Sequence, residues 1–387
     1  MKVAIVHNYY KIRGGEATVV TLESEVLSKN NFDVVTYTRH NDEIDQFSFT
    51  EKLKLLKNTA WSKDSYSAFR VFLKKEQPDI CHVHNFMPLI SPSIFQACQD
   101  EGVPVVQTLH NYRLICTNGL LLRNGKICEL CLGKSAYQAV TKKCYRNSAA
   151  QTYAVARMIE KNKSNQTWSK NIDAYICLTE FAKSKFIAHG LPADKMFVKA
   201  NAVSIPNSIA TTQNEPYFLF VGRLTESKGV RLLKKIASQV KIPIWIVGEG
   251  ELESELNGQE NIILKGKLAY DKTLALIKNA NALILPSLWY EGMPMTILEA
   301  FALKTLVITS DLGAMQSIIR HKENGLLFQP GSAKDLIDNL NFALNNANAS
   351  ALMTDNGYTD YETRYSVESC AAQLSDIYLA TIAAKNK

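Results

Sequence analysis

The chain has 387 residues, 46% of them hydrophobic and 21% charged, and a formal net charge of +7. This is ordinary globular composition at a length that favours two domains. No apolar run approaches the ~20 residues of a membrane-spanning helix, and the eight cysteines are too scattered for the framework of a small secreted fold.

Strand-like and helix-like stretches alternate almost throughout, which is the signature of an α/β fold with parallel sheets. Met1–Val6 begins a strand and is too quickly polar for a signal peptide, so a cytosolic protein is expected. Lys2–His7 reads as that strand, Ile12–Glu16 as a turn, and the following residues to about Lys29 as a helix. Asp33–Thr38, Ile80–His84, Val103–His110, Asp173–Thr179 and Met196–Lys199 read as further strands. They are nearly continuous apolar runs, as expected where helices cover both faces of a sheet.

Residues 203–216 are polar, small and proline-flanked, a linker composition. The pattern then restarts with a strand at Tyr217–Val221, Gly222–Arg223, and a helix opening at Lys228–Gly229. Strands follow at Ile242–Val247, Ile262–Leu264, Ala282–Leu285 and Leu306–Thr309. A final helix over about 366–384 carries an apolar stripe of Cys370, Leu374, Ile377, Tyr378 and Ile382 that must dock somewhere. The expected organisation is an N-terminal domain over 1–204, a linker over 205–216, a second domain over 217–365, and a helix over 366–387 returning to the first domain.

Three strands of the first half end in the same pair: His7–Asn8, His84–Asn85 and His110–Asn111. Ligands of open parallel sheets bind just beyond the carboxyl ends of the strands. Imidazoles and amides gathered there suit sugar hydroxyls. His82 and His84 share a strand face, but no neighbouring carboxylate in the sequence completes a metal site. Gly14–Gly15 lets backbone approach a ligand at the head of a helix. In the second half, Arg223 and Lys228 bracket a loop, two cations placed to meet a diphosphate.

The densest chemistry lies in Ala282–Ala300. A buried strand is followed by an aromatic loop, Leu288–Trp289–Tyr290, then Glu291, and a helix entered at Pro294. Glu291 precedes the helix and Glu299 lies on it, so the two carboxylates flank a helix N-terminus that favours phosphate. Such a site suits a ligand with both phosphates and hydroxyls.

These residues resemble the GT-B glycosyltransferases of the large retaining family 4, over nearly the whole chain. The resemblance is carried by Pro286–Pro294 through Glu299–Ala300 (the E-x7-E signature), Val221–Leu224 with Lys228–Gly229, Gly14–Glu16, and Pro78–Asp79 through His84–Asn85. It implies two Rossmann-like domains with a deep cleft between them. It also implies a nucleotide-sugar donor, UDP-linked in preference to GDP-linked, and transfer that needs no catalytic metal. Arg223 and Lys228 would meet the donor diphosphate with the amides of Met295 and Thr296. Glu299 would hold the ribose, Glu291 would contact the donor sugar, and Gly14 and Gly15 would close on the donor. His110 would sit where donor sugar and acceptor meet, with His7, Asn8, His84, Asn85 and Asn111 on the acceptor side. The acceptor implied is a saccharide, lipid-linked in the bacterial surface-polysaccharide branch of the family. A non-transferring enzyme such as a nucleotide-sugar epimerase, and a catalytically silent binding subunit, are the competing readings. The family's usual Gly-x-Pro after the signature helix is replaced here by Ala302–Leu306, and its Pro–Asn before the linker by Ala200–Asn201.

Two features fall outside the family pattern. Cys116, Cys128, Cys131 and Cys144 lie in a loop over about 112–146, with one Cys-x2-Cys spacing. They point to a structural zinc, with uncoordinated thiols, or an iron–sulfur or redox role, as alternatives. Lys134–Lys170 holds eight basic residues against Glu160 alone, a surplus equal to that of the whole chain, with Tyr137, Tyr145, Tyr153 and Trp168 among them. Glu51–Glu76 is similarly basic and apolar. Both fit contact with an anionic membrane on its inner face, or else a solvated face. No nucleic-acid module accompanies them, so no nucleic-acid partner is expected.

Overall fold

The computed structural model describes residues 1–11, 14–206, 208–209 and 215–385. Part of the expected glycine turn (12–13), much of the expected linker (207, 210–214) and residues 386–387 lie outside them. The chain forms two compact units. The first comprises Met1–Leu121, Glu129–Ala202 and Cys370–Lys387, and the second Leu122–Cys128 and Val203–Ser369. The fold is GT-B, with two Rossmann-like α/β units and a long C-terminal helix.

The strands in chain order are β1 (Lys2–Tyr9), β2 (Asp33–His40), β3 (Ile80–Asn85), β4 (Val105–Leu109), β5 (Leu122–Arg123), β6 (Lys126–Ile127), β7 (Ala174–Cys177) and β8 (Met196–Val198). They continue with β9 (Phe218–Val221), β10 (Ile244–Val247), β11 (Ile262–Gly266), β12 (Ala282–Leu285), β13 (Val307–Ser310) and β14 (Leu326–Phe328). β5 and β6 make a small antiparallel hairpin inside the cysteine-bearing loop, and it belongs to the second unit, not the first as the domain reading placed it.

In the first unit the parallel order is β2-β1-β3-β4-β7-β8. From β1 the chain runs outward to β2 and then returns to place β3 on the other side. The switch point therefore falls between β1 and β3, where helices leave in opposite directions and a crevice opens. β3, β4 and β7 are buried along their whole length, consistent with their unbroken apolar sequences. The C-terminal helix Val367–Lys385 docks on this unit by the stripe read from its sequence: Leu374, Ile377 and Tyr378 join Val3, Ile5, Ile80 and Val106 in one cluster. Each such apolar side chain contributes roughly 1.5–3 kcal/mol by leaving water. The buried Tyr378 hydroxyl is satisfied by His82 Nδ1 at 2.7 Å.

In the second unit the order is β11-β10-β9-β12-β13-β14, again all parallel. Here the switch point lies between β9 and β12. The loop after β9 carries Arg223 and Lys228, and the loop after β12 carries Glu291. Parallel pairing thus brings together two loops about 65 residues apart in sequence.

Gly229 makes that approach close. It has φ +71°, and a Cβ there would stand 1.8 Å from the Pro286 carbonyl oxygen. The Ser227 carbonyl then accepts from the Leu288 amide at 2.8 Å. Gly229→Ala is expected to cost at least about 1 kcal/mol, from the left-handed backbone and the clash together. Urea denaturation measures it, and an unchanged midpoint at unchanged slope would contradict this account of the loop.

Candidate functional site

In the second unit, Glu291 is only 5% exposed. One of its oxygens, Oε1, accepts three hydrogen bonds: Lys228 Nζ at 2.7 Å, Ser287 Oγ at 2.6 Å and Trp289 Nε1 at 2.8 Å. Ser287 and Trp289 come from its own loop and Lys228 from the neighbouring one. Lys228 also lies 5.8 Å from the Trp289 ring centre. The lysine expected on a diphosphate is therefore first the countercharge of the signature glutamate. Among the described residues Oε2 of Glu291 has no partner. Arg223 is exposed and, among the described residues, pairs with no carboxylate.

The signature helix spans Met295–Ala302 with Pro294 as its N-cap, one residue later than a helix entered at Pro294. No side chain caps it and no acidic residue occupies its first turn, the setting in which a helix head favours an anion. Glu299 lies in its second turn, 8% exposed. Burial raises its carboxyl to about 7, against a smaller opposing effect from a hydrogen bond with Tyr270. Tyr270 was not marked in the sequence, and its tyrosine in the first turn of a surface helix gives little to mark it.

In the first unit, parallel pairing brings the three His–Asn pairs together: His7–Asn8 and His84–Asn85 lie on the adjacent strands β1 and β3, and His110–Asn111 follows directly after their neighbour β4. The imidazoles are linked: His84 Nδ1 lies 2.9 Å from His110 Nε2, and His82 Nε2 bonds Thr108 Oγ1 at 2.7 Å. His84 Nε2 lies 3.5 Å from Glu23 Oε2, while Glu23 Oε1 accepts from Lys199 Nζ at 2.6 Å. A polar chain thus runs from the buried Lys199 through Glu23 and His84 to the half-buried His110. Burial alone would push the Glu23 carboxyl up, but Lys199, His84 and His110 together bring it below its ordinary value. His110 is pushed down to about 4 and His7 to about 3, mainly by burial, so both rings are neutral at pH 7. His7 has no hydrogen-bond partner at either nitrogen among the described residues, and its Nδ1 lies 3.9 Å from Glu16 Oε1. Burial raises Glu16 to about 8 despite Arg113 and a hydrogen bond from Asn111.

The amides of the first two pairs are directed inward. Asn8 bonds Asn41 and accepts from the Leu89 amide, and Asn85 donates to the Asn8 carbonyl and accepts from the Met87 amide. They fix the loop after β3 instead of facing a sugar, which corrects the expectation for Asn8 and Asn85. Asn111 accepts from the Arg113 amide at 3.0 Å. At Gly14 and Gly15 nothing stands within 4 Å of where a Cβ would lie, and the helix Gly15–Lys29 that begins there has no side-chain cap.

The expected four-cysteine zinc site is not assembled. Among the described residues the one group of three or more candidate ligand atoms within 4.8 Å of one another is Glu23, His82 and His84. Cys116 donates instead to Asn118 Oδ1 at 3.0 Å. The histidine group is also a poor cation site: His82 is engaged at both nitrogens and Glu23 already neutralises Lys199. Trp168, read as interfacial, is 4% exposed and packs with Phe86 and Phe95 in the core. No helix among the described residues is long and apolar enough to cross a membrane.

Two parallel-sheet units, each with a switch point at the carboxyl ends of its strands, are the architecture in which open α/β sheets bind ligands. The model for "Glycosyltransferase Family 4" matches residues 13–205, and that for "Glycosyl transferases group 1" matches 204–360. The chain belongs to this glycosyltransferase family. It is 22% identical to an uncharacterized glycosyltransferase of Methanocaldococcus jannaschii, over 98% of each chain. It is 25% identical to the Escherichia coli UDP-Gal:alpha-D-GlcNAc-diphosphoundecaprenol alpha-1,3-galactosyltransferase, over 88% of this chain and 87% of that one. Anabaena HepE, solved in complex with UDP, superposes with a TM-score of 0.69 at 15% identity, covering 98% of this chain and all of the other.

Two outcomes are expected from the buried charges. Lys199→Met strands Glu23 without its countercharge and should cost about 3–5 kcal/mol, while adding Glu23→Leu should recover most of it. Equal losses in single and double variants, measured by urea unfolding, would contradict the pairing. Glu299 holds its proton more tightly folded than unfolded. Its contribution to stability is therefore complete below the ordinary carboxylate range and is lost as pH rises to about 7. Glu299→Gln should remove that decline from the stability-versus-pH curve, and an unchanged curve would refute the raised carboxyl.

Proposed function

We propose that the protein transfers a hexose or acetamidohexose from a nucleotide-sugar, UDP-linked by preference, to a saccharide carried on a lipid diphosphate during surface-polysaccharide assembly. The observation that carries this reading is the convergence of Lys228, Ser287 and Trp289 on one oxygen of the buried Glu291. That geometry fixes a carboxylate in one orientation and leaves Oε2 for a hydroxyl of the donor sugar. The UDP complex of HepE and the lipid diphosphate named in the E. coli relative support the donor and acceptor classes.

On this reading the exposed Arg223 grips the diphosphate bidentately, and Lys228 shares its three N–H groups between Glu291 and a phosphate oxygen. The head of the Met295–Ala302 helix, at Met295 and Thr296, adds amide dipoles on the same side. Together they stabilise negative charge as it develops on the leaving diphosphate, with no reorganisation at the moment of transfer. Glu299 accepts from ribose hydroxyls, and those donors favour its ionised form. In the first unit the neutral His110, held through His84 and Glu23, offers a hydrogen bond to a sugar hydroxyl, and Gly14 and Gly15 leave backbone open to close approach by a ligand. The configuration at the anomeric carbon is retained, as the family resemblance implies.

Nucleotide release from a panel of UDP-, GDP- and ADP-sugars, with lipid-linked saccharide acceptors, tests the proposal; no turnover with any pair would reject it. Glu291→Gln keeps the size of the side chain and loses its charge. It should lower kcat by about 10²–10³, with nucleotide affinity changed less than about threefold, since the nucleotide is held elsewhere. An affinity loss as large as the rate loss would move Glu291 from the sugar to the nucleotide.

A further inference from the structure

We propose that the first unit holds the hydrocarbon tail of its acceptor in a cavity between the helices Phe49–Asn58 and Ala149–Ser164. This rests on the reading that the acceptor is linked to a lipid diphosphate. The cavity has a volume of about 330 Å³, within the range of small-ligand sites. Leu53, Leu56, Met87, Pro88 and Val155 form much of its wall, and no Asp or Glu lines it. Two cations, Lys52 and Arg146, do line it, and neither pairs with a carboxylate among the described residues. Glu51, the nearest acidic residue in sequence, is occupied in a capping box with Ser48.

The helix Phe49–Asn58 does not behave as a core helix. It buries none of its side chains, and Phe49 and Leu53 remain 76% and 51% exposed. Exposed apolar side chains beside a cavity, set among lysines, mark a surface that another apolar body covers. The helix is nevertheless firmly placed: Arg157 Nη1 donates to the Lys57 carbonyl at 3.0 Å and Asn162 Nδ2 to the Ala60 carbonyl at 2.9 Å. The opposite wall is held equally well, because Met87 and Leu89 give their amides to Asn85 and Asn8. The loop that closes the cavity is therefore the loop that leaves the β1/β3 switch point beside His7 and His84. A tail in the cavity would be joined to a head group at the carboxyl ends of these strands, with Lys52 and Arg146 available to its phosphates. Apolar walls, unpaired cations and continuity with the strand ends together select a lipid diphosphate over a plain apolar ligand or a free anion.

Calorimetric titration of the full chain with farnesyl diphosphate, farnesol and inorganic diphosphate tests this. Farnesyl diphosphate should bind saturably and at least tenfold more tightly than either fragment. Leu53→Glu and Arg146→Glu, both at exposed positions, should each weaken it at least tenfold while the thermal unfolding temperature stays unchanged. Transfer to a lipid-linked saccharide should fall in Leu53→Glu, and transfer to a water-soluble saccharide should not. Wild-type affinity in Leu53→Glu, or equal binding of both proteins to phosphatidylglycerol vesicles with no binding of farnesyl diphosphate, would overturn the tail site. Binding that follows the expected pattern without transfer to any lipid-linked saccharide would uphold the cavity and reject the acceptor reading.

Discussion

A carboxylate removed from water must find compensation, and the position of Glu291 depends on that requirement. Three donors on one oxygen provide it, and each donor imposes a condition on the fold. Ser287 and Trp289 require the loop after β12 to curl back on itself. Lys228 requires the loop after β9 to lie against it, which is sterically open only because residue 229 lacks a Cβ. The parallel pairing of β9 with β12 sets the two loops side by side in the first place. Sheet order, glycine placement and carboxylate geometry are thus one constraint expressed at three scales.

The buried acids of the chain solve the same problem in different ways, and the differences sort their uses. Glu23 is neutralised by Lys199 and stays ionised in the core, so it can orient His84 but offers nothing to a ligand. Glu291 is neutralised on one oxygen only. Glu299 has a tyrosine hydroxyl and no cation, and its carboxyl rises to about 7. A group poised there gains most from ligand hydroxyls, because each donor it accepts shifts it toward the charged form. Glu16, raised to about 8 by burial beside a neutral His7, leaves the head of the first helix without a full negative charge.

Much of this was legible in the sequence, and the limits have physical reasons. The strands were visible because both-sides burial writes an unbroken apolar run, and the docking stripe of the last helix because its period is helical. The His–Asn repeats showed which strands end together. What the amides of Asn8 and Asn85 do could not be read, since an Asn at a strand end can face a ligand or tie down a loop with equal chemistry. Glu23 was invisible for a related reason: a glutamate inside a helix looks solvated until its partner, 176 residues away, is placed. Lys228 stood out in the sequence as a cation beside a loop, but its pairing with Glu291 needed the strand order. The cysteine spacing misled because a Cys-x2-Cys pair constrains at most two ligands, and even that pair is divided here, Cys128 falling in the second unit and Cys131 in the first.

The net charge has a similar logic. The two basic stretches, around Lys52 and around Arg146, are about ninety residues apart, and in the fold they meet on the walls of one apolar cavity. A solvated face pairs its lysines, as Lys54 on the same helix is paired with Asp64 and Lys304 with Asp355. Lys52 and Arg146 instead stand exposed and, among the described residues, without a carboxylate partner beside apolar surface. Such an arrangement is stabilised by a ligand that is itself amphipathic, since it relieves the exposed apolar area and the unpaired charge in a single binding event.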